Sequence, residues 1–414
     1  MPDVAFGSLV VVAAIAVGAP MLVGLFPAIR VPAVVLEIVA GIVVGPHGFD
    51  WVRIDLPVEI LALFGLAFLL FLAGLEIDVH RLKGRLLRLS GLGLLLTLVL
   101  GLAVGTGFRL VGWVRSPLFL AITLSATSLG LVVPVLKDSG QAAGDLGQQT
   151  IAASSVNDFA AGVLLTLFFS TTAAGTGTKL LLFSGFLLFV VAATLALSRL
   201  NRSMHLAAVL VKLQDTTAEI RVRIAVLLLV VFVALAERLG LEAILGAFLA
   251  GAILNFVDRD ATATHPHFRL KLEAIGYGFL VPVFFVASGL RFDLDALVDT
   301  PSAFLRLPLF LLALLVVRGV PAALYVRRAG RRRAAGAGLL QATSLPFIVT
   351  AVEIGILLGE IGAVNGAALV GAALLSVVLF PPVALALLRD ADGGAQSAGD
   401  AEHSGPDSTG VDVP

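Results

Sequence analysis

An all-α polytopic membrane protein with about 13 transmembrane helices is the fold class predicted for this sequence. Three observations predict it. Apolar residues make up 59% of the 414-residue chain and charged residues 14%, with a mean hydropathy of +1.05, which is more apolar surface than a soluble domain can cover. Apolar runs of about 17 to 25 residues, the length a helix needs to cross a bilayer, recur between charged or Pro/Gly-rich breaks. Two of these runs are interrupted by the same small, hydroxyl-bearing motif.

Taken in order, the first run centres on Val12 and has neither a basic leader nor a small-residue cleavage site, so it is expected to persist as a helix. The second, around Val39, and the ninth, around Phe248, are short and bordered by charge. The third, around Ala67, ends in FLAGLEID, and the fourth, around Leu96, follows Arg85 and Arg88. The fifth and twelfth, around Thr127 and Pro346, carry the shared motif, and the sixth is centred on Asp158. The seventh and eighth, around Phe189 and Val230, flank a basic stretch from Arg199 to Arg223. The tenth centres on Val281, the eleventh on Leu312 with Arg318 inside it, and the thirteenth on Ala373. Residues 1–389 therefore form one transmembrane domain. Residues 390–414, rich in Gly, Ser, Ala and Asp, have nothing to bury and are expected to be a disordered cytoplasmic tail.

Basic residues orient the chain. Loops after odd-numbered spans, together with the C-terminal flank, hold 20 of the 28 Lys and Arg, and such an excess marks the cytoplasmic side. This predicts a multi-pass plasma-membrane protein with its N-terminus outside and its C-terminus inside. A net charge of +0 gives no basis for a nucleic-acid partner, and zero cysteines exclude disulfides and thiolate metal sites. No phosphate-binding glycine loop, nucleophile elbow or zinc-protease helix is present, so neither a cofactor nor an enzymatic role is expected.

The motif in the fifth span, LSATSLGLVVPV, recurs in the twelfth as LQATSLPFIVTAV at an offset of 216 residues; FLAGLEID, ending at Asp78, is echoed by FVASGLRFD, ending at Asp293, at an offset of 215. An odd number of spans separates the copies, so they enter the membrane with opposite polarity, as inverted repeats do. Helix breakers follow each hydroxyl cluster: Gly130 and Pro134 after Thr127 and Ser128, and Pro346 after Thr343 and Ser344. Discontinuous helices are expected there, since freed backbone groups at membrane depth are tolerated where they line a cavity. The plainer alternative is that these hydroxyls bond within their own helices.

Asp158, beside Asn157 in TIAASSVNDFAAGVLLTLFF, is a carboxylate in an otherwise uncharged apolar stretch. A charge at that depth is costly and ordinarily handles ions or protons. Close Gly spacings such as Gly41 to Gly45 are expected to permit helix contact.

VPAVVLEIVAGIVVGPHG, FLLFLAGLEID, SVNDF and VVRGVPAAL, in this order and spacing, resemble the monovalent cation:proton antiporters, which include sodium/proton exchangers and Kef-type membrane domains. The resemblance covers about residues 5 to 388. It implies two crossed discontinuous helices in a mobile ion-binding core domain, a separate dimerisation domain, a homodimer, and sodium or potassium ions and protons as substrates. It places Asp158 and Asn157 as the ion-binding pair and Arg318 as the basic residue opposite.

On this view Asp158 holds either a proton or an alkali cation, and Thr127, Ser128, Ser154 or Ser155 complete the cation's oxygen shell, with Thr127 and Ser154 favoured. Asn157 either ligates or orients Asp158. Arg318 either serves as a counter-charge or snorkels toward the surface near Arg327. Glu353 is a second candidate partner for Arg318, and Glu37 is expected to tie the early helices together as a structural ion pair. Glu76, Asp78, Arg291 and Asp293 are read as solvated interface charges. Asn does not titrate and Arg stays protonated, so the single titratable group favours electroneutral exchange. The alternative function is a sodium-coupled organic-anion symporter of similar architecture.

Overall fold

The computed structural model describes residues 6–403 except 27–31, 77–83, 139, 143, 170–175, 202–218, 240, 242, 259–266, 293 and 296–300; the side chains of 131, 134, 137–138, 176–180, 183, 197–201, 258, 301–304 and 389–403 also lie outside the described set. Asp78, Asp293, the side chain of Pro134 and the segment 404–414 fall outside it.

The described residues group into thirteen helical units, each containing one of the expected span centres. In order these are α1 (Gly7–Leu25), α2 (Ala33–Val44), α3 (Leu56–Leu75), α4 (Gly84–Leu110), a broken fifth unit of α5a (Pro117–Ser125) and α5b (Leu129–Asp138), α6 (Asp145–Phe169) and α7 (Thr176–Asn201). Then come α8 (Ile220–Arg238), α9 (Ala243–Asp258) and α10 (His267–Leu290), the last with a π turn at Gly276–Leu280. The eleventh unit, α11, runs from Pro301–Leu314 through a π turn (Leu315–Gly319) into a 3-10 turn (Val320–Tyr325). The broken twelfth unit comprises α12a (Val326–Gln341) and α12b (Pro346–Leu357), and α13 spans Ala363–His403, past the residue where the sequence predicts a tail.

Seven of the helices are long and apolar enough to cross a membrane, and shorter apolar helices include Ala33–Val44, Ala243–Val257 and Pro346–Leu357. The starts follow local chemistry. Asp55 caps α3 by accepting from the Val58 amide at 3.1 Å, and Ser116 caps α5a by accepting from Phe119 at 3.2 Å, with Pro117 in the first turn. The basic stretch from Arg327 to Arg333 falls at the start of α12a. Chain direction changes there at Gly330, whose φ of 80° is a left-handed conformation that glycine adopts without strain.

Helices α1, α2, α3, α7, α8, α9 and α10 pack as one group, and α4, α5, α6, α11, α12 and α13 as another. An apolar cluster joins Val34, Ile38, Phe284 and Phe285 of the first group to Phe119, Phe347 and Ile348 of the second. Within the first group, α2 meets α10 at backbone distance through facing glycines. A Cβ on Gly41 would lie 2.3 Å from the Val286 carbonyl, and one on Gly289 would lie 2.2 Å from that of Ile38. Gly45 continues the same face against Leu290, as the Gly-x-x-x-Gly spacing predicts.

Glu37 is buried on this helix pair, and no ion-pair partner for it exists among the described residues. Among the described residues the contact between α2 and α10 is steric, between glycine backbones. Glu76 and Arg291 are also not simply solvated. Glu76 pairs with Arg269, which bonds Glu273 as well at 2.9 Å, and Arg291 pairs with Glu353.

Replacing Gly41 with Val forces α2 and α10 apart. Overpacking of this kind costs about 1–3 kcal/mol, so the thermal midpoint of Gly41→Val in detergent falls, whereas Gly18→Ala on α1, which meets nothing within 4 Å, leaves it unchanged.

Candidate functional site

The two ATSL segments interrupt their helices and lie against each other. Residues 126–128 and 343–345 are non-helical, and the Ser128 amide donates to the Thr343 carbonyl at 2.9 Å while the Thr127 hydroxyl donates to the Gln341 carbonyl at 2.8 Å. Backbone groups freed by one break are thus satisfied by the other, as burial in an apolar surround requires. The plainer reading holds for some of the hydroxyls. Thr123, Ser125 and Thr343 bond back to the carbonyls of Phe119, Ile122 and Leu339 in their own helices.

Asp158 lies midway along α6 at the start of α5b. Its Oδ1 accepts from the Thr127 amide at 2.5 Å. That amide lies at the N-terminal entry of a half-helix, where partial positive charge stabilises an anion.

Arg318 occupies the other face of the break. Fully buried on the π turn of α11, it donates from Nε to Thr127 Oγ1 at 2.9 Å, again to Thr127 Oγ1 from Nη2, and from Nη1 to Thr97 Oγ1 on α4 at 3.3 Å. Snorkelling is excluded by this burial. The guanidinium reaches the break through Thr127, whose hydroxyl then has its one donor and both acceptor positions in use. Thr127 therefore enters the Asp158 site through its amide, and its hydroxyl belongs to the scaffold. Gln341, at the end of α12a, is fixed by donating from Nε2 to the Tyr325 hydroxyl at 3.1 Å.

The other sequence-predicted residues divide between the site and its surroundings. Ser128 lines the same cavity as Asp158. Ser154, one helical turn before Asp158, is fully buried, and its Oγ has no partner among the described residues; Asn157 donates from Nδ2 to Ala153 at 2.9 Å, while its Oδ1 has none among them. The Ser155 hydroxyl is taken by the Ile151 carbonyl at 2.8 Å. Ser344 and Pro346 line the cavity from the second break, and Pro134 falls within α5b. Glu353 is corrected as a partner for Arg318. It pairs instead with Arg291 at 3.6 Å, because α12b carries it toward the end of α10 while Arg318 is turned to the crossing.

The cavity, small and open on one side, lies between the two helix groups. Leu69, Leu70 and Ala73 of α3 with Ile244, Leu245 and Phe248 of α9 form one wall; Leu129, Gly130, Phe159 and Phe347 with the two breaks form the other. Its walls are apolar and its polar atoms converge at Asp158. Sequence reasoning missed Thr97, Tyr325 and Ser376 as supports. Each is a polar residue within an apolar run, a signal too common to stand out before the fold brings it to the breaks.

Thr127→Val removes the hydroxyl and leaves a buried guanidinium short of its acceptor. Stranding a buried polar partner costs about 1–3 kcal/mol, and more for a charged one, so its thermal midpoint drops clearly in detergent while Thr127→Ser stays close to wild type.

Residues 12–388 match the transmembrane sodium/hydrogen exchanger family. The chain is 30% identical to YjbQ of Bacillus subtilis (strain 168) over 92% of its own length and 63% of that protein's, and 31% identical to the Na(+)/H(+) antiporter of Enterococcus hirae over 64% of its own length and 67% of the relative's. Among solved structures, the sodium proton antiporter MjNhaP1 from Methanocaldococcus jannaschii at pH 8 aligns with a TM-score of 0.64 at 16% identity, covering 91% of this chain and 98% of that one. At that identity the likeness concerns the fold.

Proposed function

We propose, because this chain belongs to the transmembrane sodium/hydrogen exchanger family, that it is a secondary active antiporter exchanging a monovalent cation, sodium or potassium, for protons. One observation carries the reading: Asp158 meets an amide at a half-helix N-terminus inside a cavity that separates two helix groups. A carboxylate so placed is stabilised as an anion by fixed dipoles yet remains open to a proton or a cation, and the two compete for the same oxygens. Ser154 Oγ and Asn157 Oδ1, both without partners among the described residues, are available to a cation, which unlike a proton needs several oxygen ligands. The alkali cation here is substrate, held by Asp158, and not a resident metal.

The two helix groups support a reading by alternating access. The helix group carrying the breaks slides past the other, and an uncompensated carboxylate facing the apolar wall of α3 and α9 opposes that movement. Crossing is permitted once a proton or a cation neutralises it. Arg318 stays protonated and Asn157 does not titrate, so one carboxylate exchanges one proton for one cation. The exchange is electroneutral. The first helix group provides a static dimer scaffold, and the chain lies in the plasma membrane with its N-terminus outside and C-terminus inside.

Proteoliposomes containing the purified chain test this. A sodium or potassium gradient drives proton flux at a rate unaffected by an imposed membrane potential, and acceleration by voltage of either sign would contradict one-for-one exchange. Asp158→Asn abolishes flux while still inserting and folding; retained exchange in that variant removes Asp158 from the mechanism.

A further inference from the structure

The second break supplies an oxygen that the exchange mechanism above leaves unused. Ser344 is fully buried and lines the Asp158 cavity, yet its hydroxyl has no hydrogen-bond partner among the described residues. Leaving a buried hydroxyl unpaired is destabilising, and its neighbour avoids that state: Thr343 turns its hydroxyl back onto Leu339. Position alone ties Ser344 to the carboxylate. The Thr343 carbonyl accepts from the Ser128 amide, and Ser128 follows Thr127, whose own amide holds Asp158.

Ser376 on α13 explains why the Ser344 hydroxyl is free. Its Oγ accepts from the Ser344 amide at 3.3 Å and donates its one proton to the Ala373 carbonyl on its own helix at 2.7 Å, with the Ser344 carbonyl at a longer 3.4 Å from the same oxygen. The Ser344 amide is thereby held from α13, and the Ser344 side chain is not needed to hold this end of the break. Ser376 is itself fully buried, so this clamp is shielded from water.

We propose that Ser344 Oγ is a ligand of the transported alkali cation, contributed by the second broken helix across the cavity from α6, and that Ser376 is a positioning residue that keeps it available. The assignment rests on the exchange reading. A hydroxyl lone pair engages a cation but has no part in holding the proton on Asp158, so its loss weakens cation binding selectively. The second break then sets which alkali ion fits, because the distance between the two broken segments fixes how near Ser344 comes to an ion on Asp158.

Cation-driven proton flux in proteoliposomes, measured in turn with lithium, sodium, potassium and rubidium, tests this together with thermal midpoints in detergent. Removing one neutral ligand is expected to raise the cation KM of Ser344→Ala about fivefold with a near-wild-type maximal rate, to alter the selectivity order, and to leave the thermal midpoint unchanged or higher. Ser344→Thr, which keeps the oxygen, restores the KM. Ser376→Ala shows a smaller KM increase and a lower midpoint. A wild-type KM and selectivity order in Ser344→Ala overturns the proposal, as does a raised KM accompanied by a lowered midpoint and no rescue by Thr, which marks a structural role only. Absence of cation-driven flux in the wild type overturns the exchange reading itself.

Discussion

Thr127 is the junction on which the site depends. Its amide holds Asp158, and its hydroxyl gives a proton to the Gln341 carbonyl and receives the guanidinium of Arg318. The underlying constraint is that peptide groups released by a helix break cannot stay unpaired at membrane depth. Two breaks placed together satisfy one another. What remains is a surplus of positive dipole at the start of α5b and a set of carbonyls at the end of α12a, and the chain places an acid at the first and a buried arginine beside the second.

That arrangement gives Arg318 and Asp158 different tasks even though both are charges inside the protein. Arg318 is enclosed by α4, the break and the π turn of its own helix, and its hydrogen bonds to Thr97 and Thr127 fix three elements at once. Asp158 is only partly enclosed and faces a cavity. The Arg318 charge is enclosed and tied to Thr97 and Thr127 through all three of its nitrogens, whereas the Asp158 carboxylate keeps an open side on the cavity. The low polarity of the cavity walls strengthens the distinction, since electrostatic interactions there are screened less than in water.

Packing of the first helix group supplies the complementary surface. Glycine contacts such as Gly41 with Gly289 bring backbones together without side-chain interlocking, leaving α3 and α9 to present a smooth apolar face to the breaks. Side-chain oxygens of Ser154, Asn157 and Ser344 lack partners among the described residues. Unpaired polar atoms are rare in folded proteins, and of these three Ser344 lines the same cavity as Asp158, while Ser154 and Asn157 lie beside that carboxylate on α6.

Sequence alone determined the thirteen helices and the two interruptions and singled out Asp158 as the acid within an apolar helix, because hydrophobic run length, a repeated breaker motif and an isolated acid are local properties that composition exposes. Tertiary structure decided the partners. Glu353 turned to Arg291, and Glu37 to no ion among the described residues, while Thr127 spent its hydroxyl on Arg318, 191 residues away, and Ser376 emerged as the support of Ser344. A polar side chain in an apolar helix shows by its presence that something must satisfy it. Which group does so depends on helix rotation and on angstrom-scale approach between segments hundreds of residues apart, and the linear pattern carries neither.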